Sequence, residues 1–200
     1  MTKADVRREV LACRDALPAQ GAEAASRAIW ERLRELPEFE RARCVMFFAS
    51  FGSEVRTLPM IADALRLGKR VALPACVPAT RELDVREVCD CEQHLAPGVW
   101  GIPEPRCDLC GPVGLEEIDV VVVPGVAFDA TGGRVGYGGG FYDGFLCAYQ
   151  RERPDGLVVA LAFDCQVVDR VPTKPKDVPV PLILTEHRAI DNRGRSPSPP

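Results

Sequence analysis

Histidine is nearly missing from this sequence, which contains only His94 and His187 among its 200 residues. Neither stands in a Ser-His-Asp or Cys-His pattern, and neither has partners at metal-ligand spacing. General acid–base catalysis by histidine is therefore not predicted, and we expect both residues in exposed loops. An enzyme with this sequence would act mainly by positioning its substrates.

Positive charge is also limited, since 25 lysine and arginine residues face 29 aspartate and glutamate residues and the formal net charge is −4. Such a chain has no general attraction to nucleic acid, so an anion site has to be a local feature. The sequence shows no secretory signal pattern and no apolar run long enough to cross a bilayer. We expect a cytoplasmic monomer without nucleic-acid or membrane partners.

Internal repeats are absent, and the composition is 46% hydrophobic and 27% charged. A chain of this length and composition is typical of one globular domain, which we assign to residues 1–190. The remaining residues, 191–200, are rich in serine, proline and arginine. We predict that they form a disordered tail.

Nine cysteines are scattered along the chain, and without an export signal they should be reduced. One cluster has roughly the spacing of a zinc ribbon and consists of Cys89, Cys91, Cys107 and Cys110. The flanks lack the usual glycine turns, which favours ordinary loop cysteines over structural zinc. Reversible disulfide formation is a third interpretation.

Short apolar runs alternate with amphipathic segments. A Thr2–Asp5 capping box and apolar residues at helical spacing predict an N-terminal helix that ends before Pro18. Helices are also predicted at 23–36 and 58–67, and residues 79–91 suggest an antiparallel excursion. Strands buried on both faces are predicted at residues 44–49, 70–74, 120–123, 157–162 and 182–184. The strand–helix–strand order favours parallel pairing and an α/β fold.

Glycine is concentrated in residues 132–140, between a strand pattern and a helix predicted at Phe141–Tyr149. Glycine permits left-handed torsions and close approach, so backbone N–H groups can turn toward one point, and the helix N-terminus aims there too. A tight turn without a ligand is the simpler interpretation. Arg134 before the loop and Asp143 after it favour nucleotide phosphates with magnesium. No G-x-x-x-x-G-K-[ST] motif is present.

Three further features are ambiguous on their own. Lys3 and Arg7 stand four residues apart on one helix face, which is either solvated or docked against phosphates. Glu54 follows the first strand, where open α/β sheets bind ligands, although a loop glutamate is usually solvated. Trp100 lies among prolines and glycines and is either a loop anchor, the favoured interpretation, or a wall of a binding cleft.

Five motifs in register between Lys3 and Glu186 resemble the 5-formyltetrahydrofolate cyclo-ligase family. They are K-x-x-x-R, F-x-S-F-G-S-E-V, P-G-V-W-G-I-P-E-P, V-P-G-V-A-F-D and G-R-V-G-Y-G-G-G-F-Y-D. The resemblance implies a three-layer α/β/α sandwich with a central, mainly parallel sheet. It also implies Mg²⁺- and ATP-dependent conversion of 5-formyltetrahydrofolate to 5,10-methenyltetrahydrofolate, with an imidate phosphate intermediate and release of ADP and phosphate.

The resemblance also assigns residues. Asp143 and Asp177 would hold magnesium, and the residues nearest the chemistry would be Arg134, Tyr142 and Asp143. The folate would contact Arg7, Phe51, Glu54, Trp100 and Tyr142. ATP would contact Lys3, Arg7, Arg134, Val135, Gly136, Tyr137, Gly138, Gly139, Gly140, Phe141 and Tyr142. Val135 and Phe141 depart from the family pattern, which has leucine and tyrosine there.

Two rival functions remain open from the sequence. A sugar-phosphate isomerase would also use a glycine loop for phosphate, but it would need a base beside a carbonyl and no ATP. A non-catalytic folate- or zinc-binding protein is the other rival. Consumption of ATP only in the presence of 5-formyltetrahydrofolate separates the proposed enzyme from both.

Overall fold

The structure, a computed structural model, describes residues 1–194. Within this range the strands, in chain order, are β1 (Cys44–Met46), β2 (Arg70–Val77), β3 (Glu82–Glu87), β4 (Leu95–Pro97), β5 (Pro103–Pro105), β6 (Val120–Val123), β7 (Ala127–Asp129), β8 (Arg134–Val135), β9 (Leu157–Leu161), β10 (Val167–Val168), β11 (Leu182–Leu184) and β12 (Ala189–Asp191). The helices are α1 (Lys3–Asp15), α2 (Ala19–Arg34), α3 (Pro37–Arg41), α4 (Thr57–Arg66), α5 (Cys91–His94) and α6 (Phe141–Glu152).

A seven-stranded sheet in the order β12-β11-β9-β6-β1-β2-β3 forms the centre of the molecule. The five inner strands pair in parallel, and the edge strands β12 and β3 pair antiparallel to their neighbours. The predicted mainly parallel sheet is confirmed. β3 pairs antiparallel with β2, which confirms the antiparallel segment predicted within residues 79–91.

Helices cover both faces of this sheet. Val45 of β1 points into a cluster that contains Ile29 of α2 and Ile61 of α4. Met46, one residue later, points into the opposite cluster with Leu146 of α6. Successive strand side chains alternate between faces, so a buried parallel strand has to be apolar on both. The predicted three-layer α/β arrangement is therefore observed.

α1 packs on a separate small sheet in the order β10-β7-β8. Val6 and Val10 of α1 are buried against Val126 and Val135. The predicted capping box begins the helix, because the Thr2 hydroxyl accepts a hydrogen bond from Asp5 N–H and the Asp5 carboxylate accepts one from Thr2 N–H. α1 is thereby fixed beside the strand that leads into the glycine-rich residues.

Most predicted elements differ from the observed ones only at their ends, whereas α3, α5, the β4–β5 pair, β12 and the small sheet were not predicted. The predicted tail begins within β12, and residues 195–200 lie outside the described range. No helix among residues 1–194 is both long and apolar enough to cross a membrane.

Candidate active site

A pocket of about 490 Å³ opens at the carboxyl ends of the inner strands. It is lined by residues that follow β1 and β6 and by the last part of β2, among them Phe48, Pro124 and Cys76. This edge is where open α/β sheets bind ligands. The pocket is also lined by the glycine loop, which we define as residues 136–140, and by apolar residues such as Phe51 and Ile102.

Fifteen of the residues assigned from the sequence line this one pocket: Lys3, Arg7, Phe51, Glu54, Trp100, Arg134, Gly136, Tyr137, Gly138, Gly139, Gly140, Phe141, Tyr142, Asp143 and Asp177. Val135 is the exception. Its side chain is fully buried with Val6 and Val10 of α1. Successive residues of a strand face opposite sides, so Val135 points away from the side to which Arg134 points. The Val135 side chain therefore does not line the pocket, and its assignment to ATP stays a prediction.

The glycine loop presents backbone donors to the pocket. Gly138 and Gly140 have φ values of 107° and 75°, a region that side chains disfavour. In residues 1–194, no group accepts a hydrogen bond from the N–H of Gly138, Gly139 or Gly140. α6 begins directly after the loop without a side-chain cap, so its first N–H groups are also available. These donors form a cradle suited to an anion.

Arg134 lies under this cradle in an ion pair with Asp143. Its Nη2 is 2.8 Å from Asp143 Oδ1, and its side chain is almost fully buried. The guanidinium also lies 5.8 Å from the centre of the Tyr142 ring, within cation–π distance. Its Nε has no hydrogen-bond partner among the described residues. A buried, unpaired donor of this kind favours an anionic ligand at the loop.

Asp177 lies beside Asp143, on the extended segment after β10. Asp177 Oδ2 accepts hydrogen bonds from Lys3 Nζ at 2.5 Å and from Lys174 N–H at 2.6 Å. Asp143 Oδ1 accepts from Arg134 and, at 3.4 Å, from Val178 N–H. Within residues 1–194 these contacts use one oxygen of each carboxylate. The other oxygens suit Mg²⁺, which takes one or two carboxylates together with phosphate and water.

α1 supplies two cations to the pocket. Arg7 Nε donates to the Gly136 carbonyl at 2.9 Å, and Lys3 pairs with Asp177. The interpretation of this face as merely solvated is therefore wrong, because both side chains contact the site. Together with Arg134 and Lys174, they put four cations on the pocket wall of an acidic protein.

Glu54 is a buried carboxylate, with only 4% of the residue exposed. Its Oε2 accepts from Phe51 N–H at 3.1 Å. Burial raises the pKa of Glu54 to about 7, although the Phe51 amide, the Arg14 charge and the Tyr137 phenol each favour the ionised form. The alternative of a solvated loop glutamate is wrong, because the residue is buried. With a pKa near neutrality, its carboxyl group can either donate or accept a hydrogen bond.

The aromatic residues of the site have different surroundings: Phe141 packs on the glycine loop, whereas Trp100 is exposed on the wall of the cleft. Phe141 packs over Gly139, where an added Cβ would lie 2.6 Å from the ring, so glycine is required there. Trp100 is 68% exposed, with φ at 59°, and lines the pocket. An anchor would be buried, so the cleft-wall interpretation of Trp100 is the correct one. Burial raises the pKa of Tyr142 well above its ordinary range, which keeps the phenol protonated as a donor.

Asp129 holds the turn before the glycine loop, a role that sequence reasoning missed. Its carboxylate accepts hydrogen bonds from Thr131 N–H, Thr131 Oγ1, Gly133 N–H and Val171 N–H at 2.6–3.0 Å. Burial acts to raise the pKa of Asp129, but these hydrogen bonds outweigh it and hold the pKa below its ordinary value. The available signal was an aspartate two residues before threonine and glycines, which is typical of an Asx turn.

Replacing Asp129 with alanine should lower the free energy of unfolding by about 3–5 kcal/mol, because several buried donors lose a charged acceptor. Urea unfolding at pH 7 measures this, with the exposed Asp155→Ala as the control. Since the native pKa is lowered, this stabilisation is present above the ordinary pKa near 3.8 and is lost as pH falls below it. A difference from wild type that persists unchanged at pH 3 would contradict the assignment.

The four clustered cysteines do not form a ready-made zinc site. Among the described residues, the group whose potential ligand atoms lie within 4.8 Å of one another is Asp164, Glu186 and His187. It contains no cysteine and does not line the pocket. The clustered thiols are free, and their exposure ranges from buried to exposed, in agreement with ordinary loop cysteines.

The fold and the pocket define an α/β protein in which an anion cradle and an apolar cleft share one site. The family model for the 5-formyltetrahydrofolate cyclo-ligase family matches residues 1–186. The chain therefore belongs to this family.

Similar proteins agree with this assignment. The 5-formyltetrahydrofolate cyclo-ligase of Escherichia coli K12 is 35% identical over 154 residues, or 77% of this chain and 84% of that protein. The Haemophilus influenzae cyclo-ligase is 33% identical over 90% of this chain and 95% of its own length. The structure of Aquifex aeolicus 5,10-methenyltetrahydrofolate synthetase superposes with a TM-score of 0.82 at 32% identity, covering 100% of this chain and 97% of that one.

Proposed function

We propose that this protein catalyses the ATP- and Mg²⁺-dependent cyclisation of 5-formyltetrahydrofolate to 5,10-methenyltetrahydrofolate, with release of ADP and phosphate. Membership of the cyclo-ligase family supports this reaction. The observation that carries the proposal is a single pocket lined both by the unpaired amides of the glycine loop and by the buried carboxylate of Glu54. Such a pocket suits a triphosphate beside a flat, polar-edged heterocycle.

The reaction has two steps. The formyl oxygen attacks the γ-phosphorus, the bond from that phosphorus to the bridging oxygen breaks, and ADP leaves. N10 then attacks the carbon of the resulting imidate phosphate, the C–O bond breaks with release of phosphate, and the N10 proton passes to solvent. Phosphorylation is needed because an amide oxygen is otherwise a very poor leaving group.

The roles of the residues follow from their contacts. The loop amides and Arg134 neutralise the triphosphate, which is most of what phosphoryl transfer requires. Glu54 hydrogen-bonds the pterin edge, and Phe51 and Trp100 supply apolar surface for the ring. The protonated Tyr142 phenol donates to the formyl group. Asp143 and Asp177 would hold Mg²⁺, which would offset the charge of the phosphates.

The double variant Lys3→Met with Arg7→Met should raise the KM for ATP by about 10- to 100-fold, because each hydrogen bond to a charged oxygen is worth roughly 1.5–3 kcal/mol. The KM for the folate should change less. Steady-state kinetics with each substrate varied in turn measure both. Arg8→Met is the matched control, since Arg8 is exposed on the same helix. An unchanged KM for ATP would show that these cations do not meet the nucleotide.

The proposed function is tested by following the methenyl product through its ultraviolet absorbance, with and without ATP, while ADP is assayed in parallel. We expect product and ADP in equal amounts, and no ADP without 5-formyltetrahydrofolate. Isomerisation of a sugar phosphate without nucleotide, or folate binding without turnover, would overturn the proposal in favour of a rival function.

A further inference from the structure

Arg14 is a buried arginine at the end of α1 that no part of the proposed reaction uses directly. It is 3% exposed, although arginine is rarely buried without a partner. Its Nη2 donates to the Tyr137 hydroxyl oxygen at 2.8 Å, and its Nε donates to Ser53 Oγ at 2.9 Å. One side chain therefore joins the glycine loop, through Tyr137, to the segment that carries Glu54.

The Tyr137 phenol continues this connection. Because its oxygen accepts from Arg14, its proton is free to point elsewhere. Tyr137 and Glu54 line the same pocket, and the phenol acts to lower the pKa of the Glu54 carboxyl group. The ring packs against Phe51 with the centroids 5.1 Å apart, which restricts its movement. Arg14 donates to Tyr137, and Tyr137 lies with Glu54 in the pocket, so we call these three residues the relay.

We propose that Arg14 is a positioning residue that orients the Tyr137 phenol toward Glu54 and so sets the protonation state and placement of that carboxylate. The inference rests on the proposed function, in which Glu54 meets the pterin. It adds Arg14, which does not line the pocket, to the residues that determine folate binding. Arg14 and Tyr137 are 123 positions apart, so the link exists only in the folded protein.

Besides the Phe51 N–H, three described side chains act electrostatically on or with the Glu54 carboxylate: Arg14 from α1, Tyr137 from the glycine loop and Tyr142 from α6. Arg14 and the Tyr137 proton both stabilise the ionised form, whereas Tyr142 is neutral and carries no charge. Removal of Arg14 or of the Tyr137 hydroxyl should therefore raise the pKa of Glu54, because burial then acts with less opposition. Loss of Arg14 alone or of the Tyr137 hydroxyl alone should raise the pKa of Glu54 nearly as much as loss of both.

The experiment is a carbon-13 NMR titration of the glutamate side-chain carboxyl carbons in the ligand-free protein, with Glu54→Gln to assign the resonance. The pKa of Glu54 should lie near 7 in wild type. It should rise by about one unit in Arg14→Met and in Tyr137→Phe, and by little more in the double variant. Arg8→Met, which alters an exposed arginine of the same helix, should leave it unchanged.

Kinetics provide the second readout. At pH 7 each variant should lower kcat/KM for the folate by about 10-fold, with the KM for ATP changed less than about twofold. Tyr137→Phe keeps the packing of the ring against Phe51, so this variant alone can test the proposal if Arg14→Met does not fold. An unchanged pKa of Glu54 in the folded variants, or equal effects on both substrates, would overturn the relay. The titration remains decisive even if the wild-type protein has no cyclo-ligase activity.

Discussion

Asp143→Asn is expected to lower kcat by about 100- to 1,000-fold and to raise the Mg²⁺ concentration needed for half-maximal activity. Asparagine keeps the shape of the side chain but removes the charge that binds magnesium. It also removes the ion-pair partner of Arg134 at 2.8 Å. The Arg134 guanidinium would then no longer be held in place, and the bound phosphates would shift from their reactive position. The measurement is the rate of methenyl formation across a magnesium titration.

Asp155→Asn provides the matched control for this variant, because Asp155 is an exposed carboxylate shortly after the same helix. It should behave as wild type at every magnesium concentration. Unchanged turnover of Asp143→Asn at limiting magnesium would rule out Asp143 as a metal ligand. Thermal unfolding should show that both variants are folded.

Glu54→Gln is expected to raise the KM for the folate by about 100-fold, since one or two charge-assisted hydrogen bonds to the pterin edge are lost. The KM for ATP should change by less than about threefold, because Glu54 is assigned to the folate and not to the phosphates. Equal effects on both substrates would refute its assignment to the folate. Glu82→Gln, an exposed glutamate at the start of β3, is the control.

For Glu54→Gln we also predict a gain in stability that depends on pH. The pKa of Glu54 is raised from its ordinary 4.5 to about 7, so between these values the folded state binds a proton that the unfolded state has lost. Stability of the wild type therefore falls as pH rises through this window. Relative to wild type, Glu54→Gln should be more stable at pH 8 than at pH 4, as urea unfolding at the two pH values measures.

Much of the fold was predictable because its inner strands are short apolar runs. Val120–Val123, buried on both faces, has to be apolar throughout, and the sequence shows this directly. The glycine loop was equally visible, because the positive φ values at Gly138 and Gly140 favour glycine at those positions. Features determined by local backbone geometry or by burial were therefore accessible from sequence alone.

The small sheet and the relay were not predictable, for different reasons. β8 and β10 have two residues each, too few to show alternation. The relay depends on hydroxyl and guanidinium groups brought together from distant positions, and neither Arg14 nor Ser53 has a local pattern that marks it. Trp100 lies among prolines and glycines, which left both a loop anchor and a cleft wall open from sequence and favoured the anchor.

The central claim is that the backbone amides after Arg134 bind the triphosphate of ATP beside the folate. The most direct measurement is a crystal structure with a non-hydrolysable ATP analogue, Mg²⁺ and 5-formyltetrahydrofolate. We predict phosphate oxygens within about 3 Å of the N–H groups of Gly138–Phe141, with the pterin against Glu54. A nucleotide bound at another surface, with the glycine loop making no contact to it, would contradict the account.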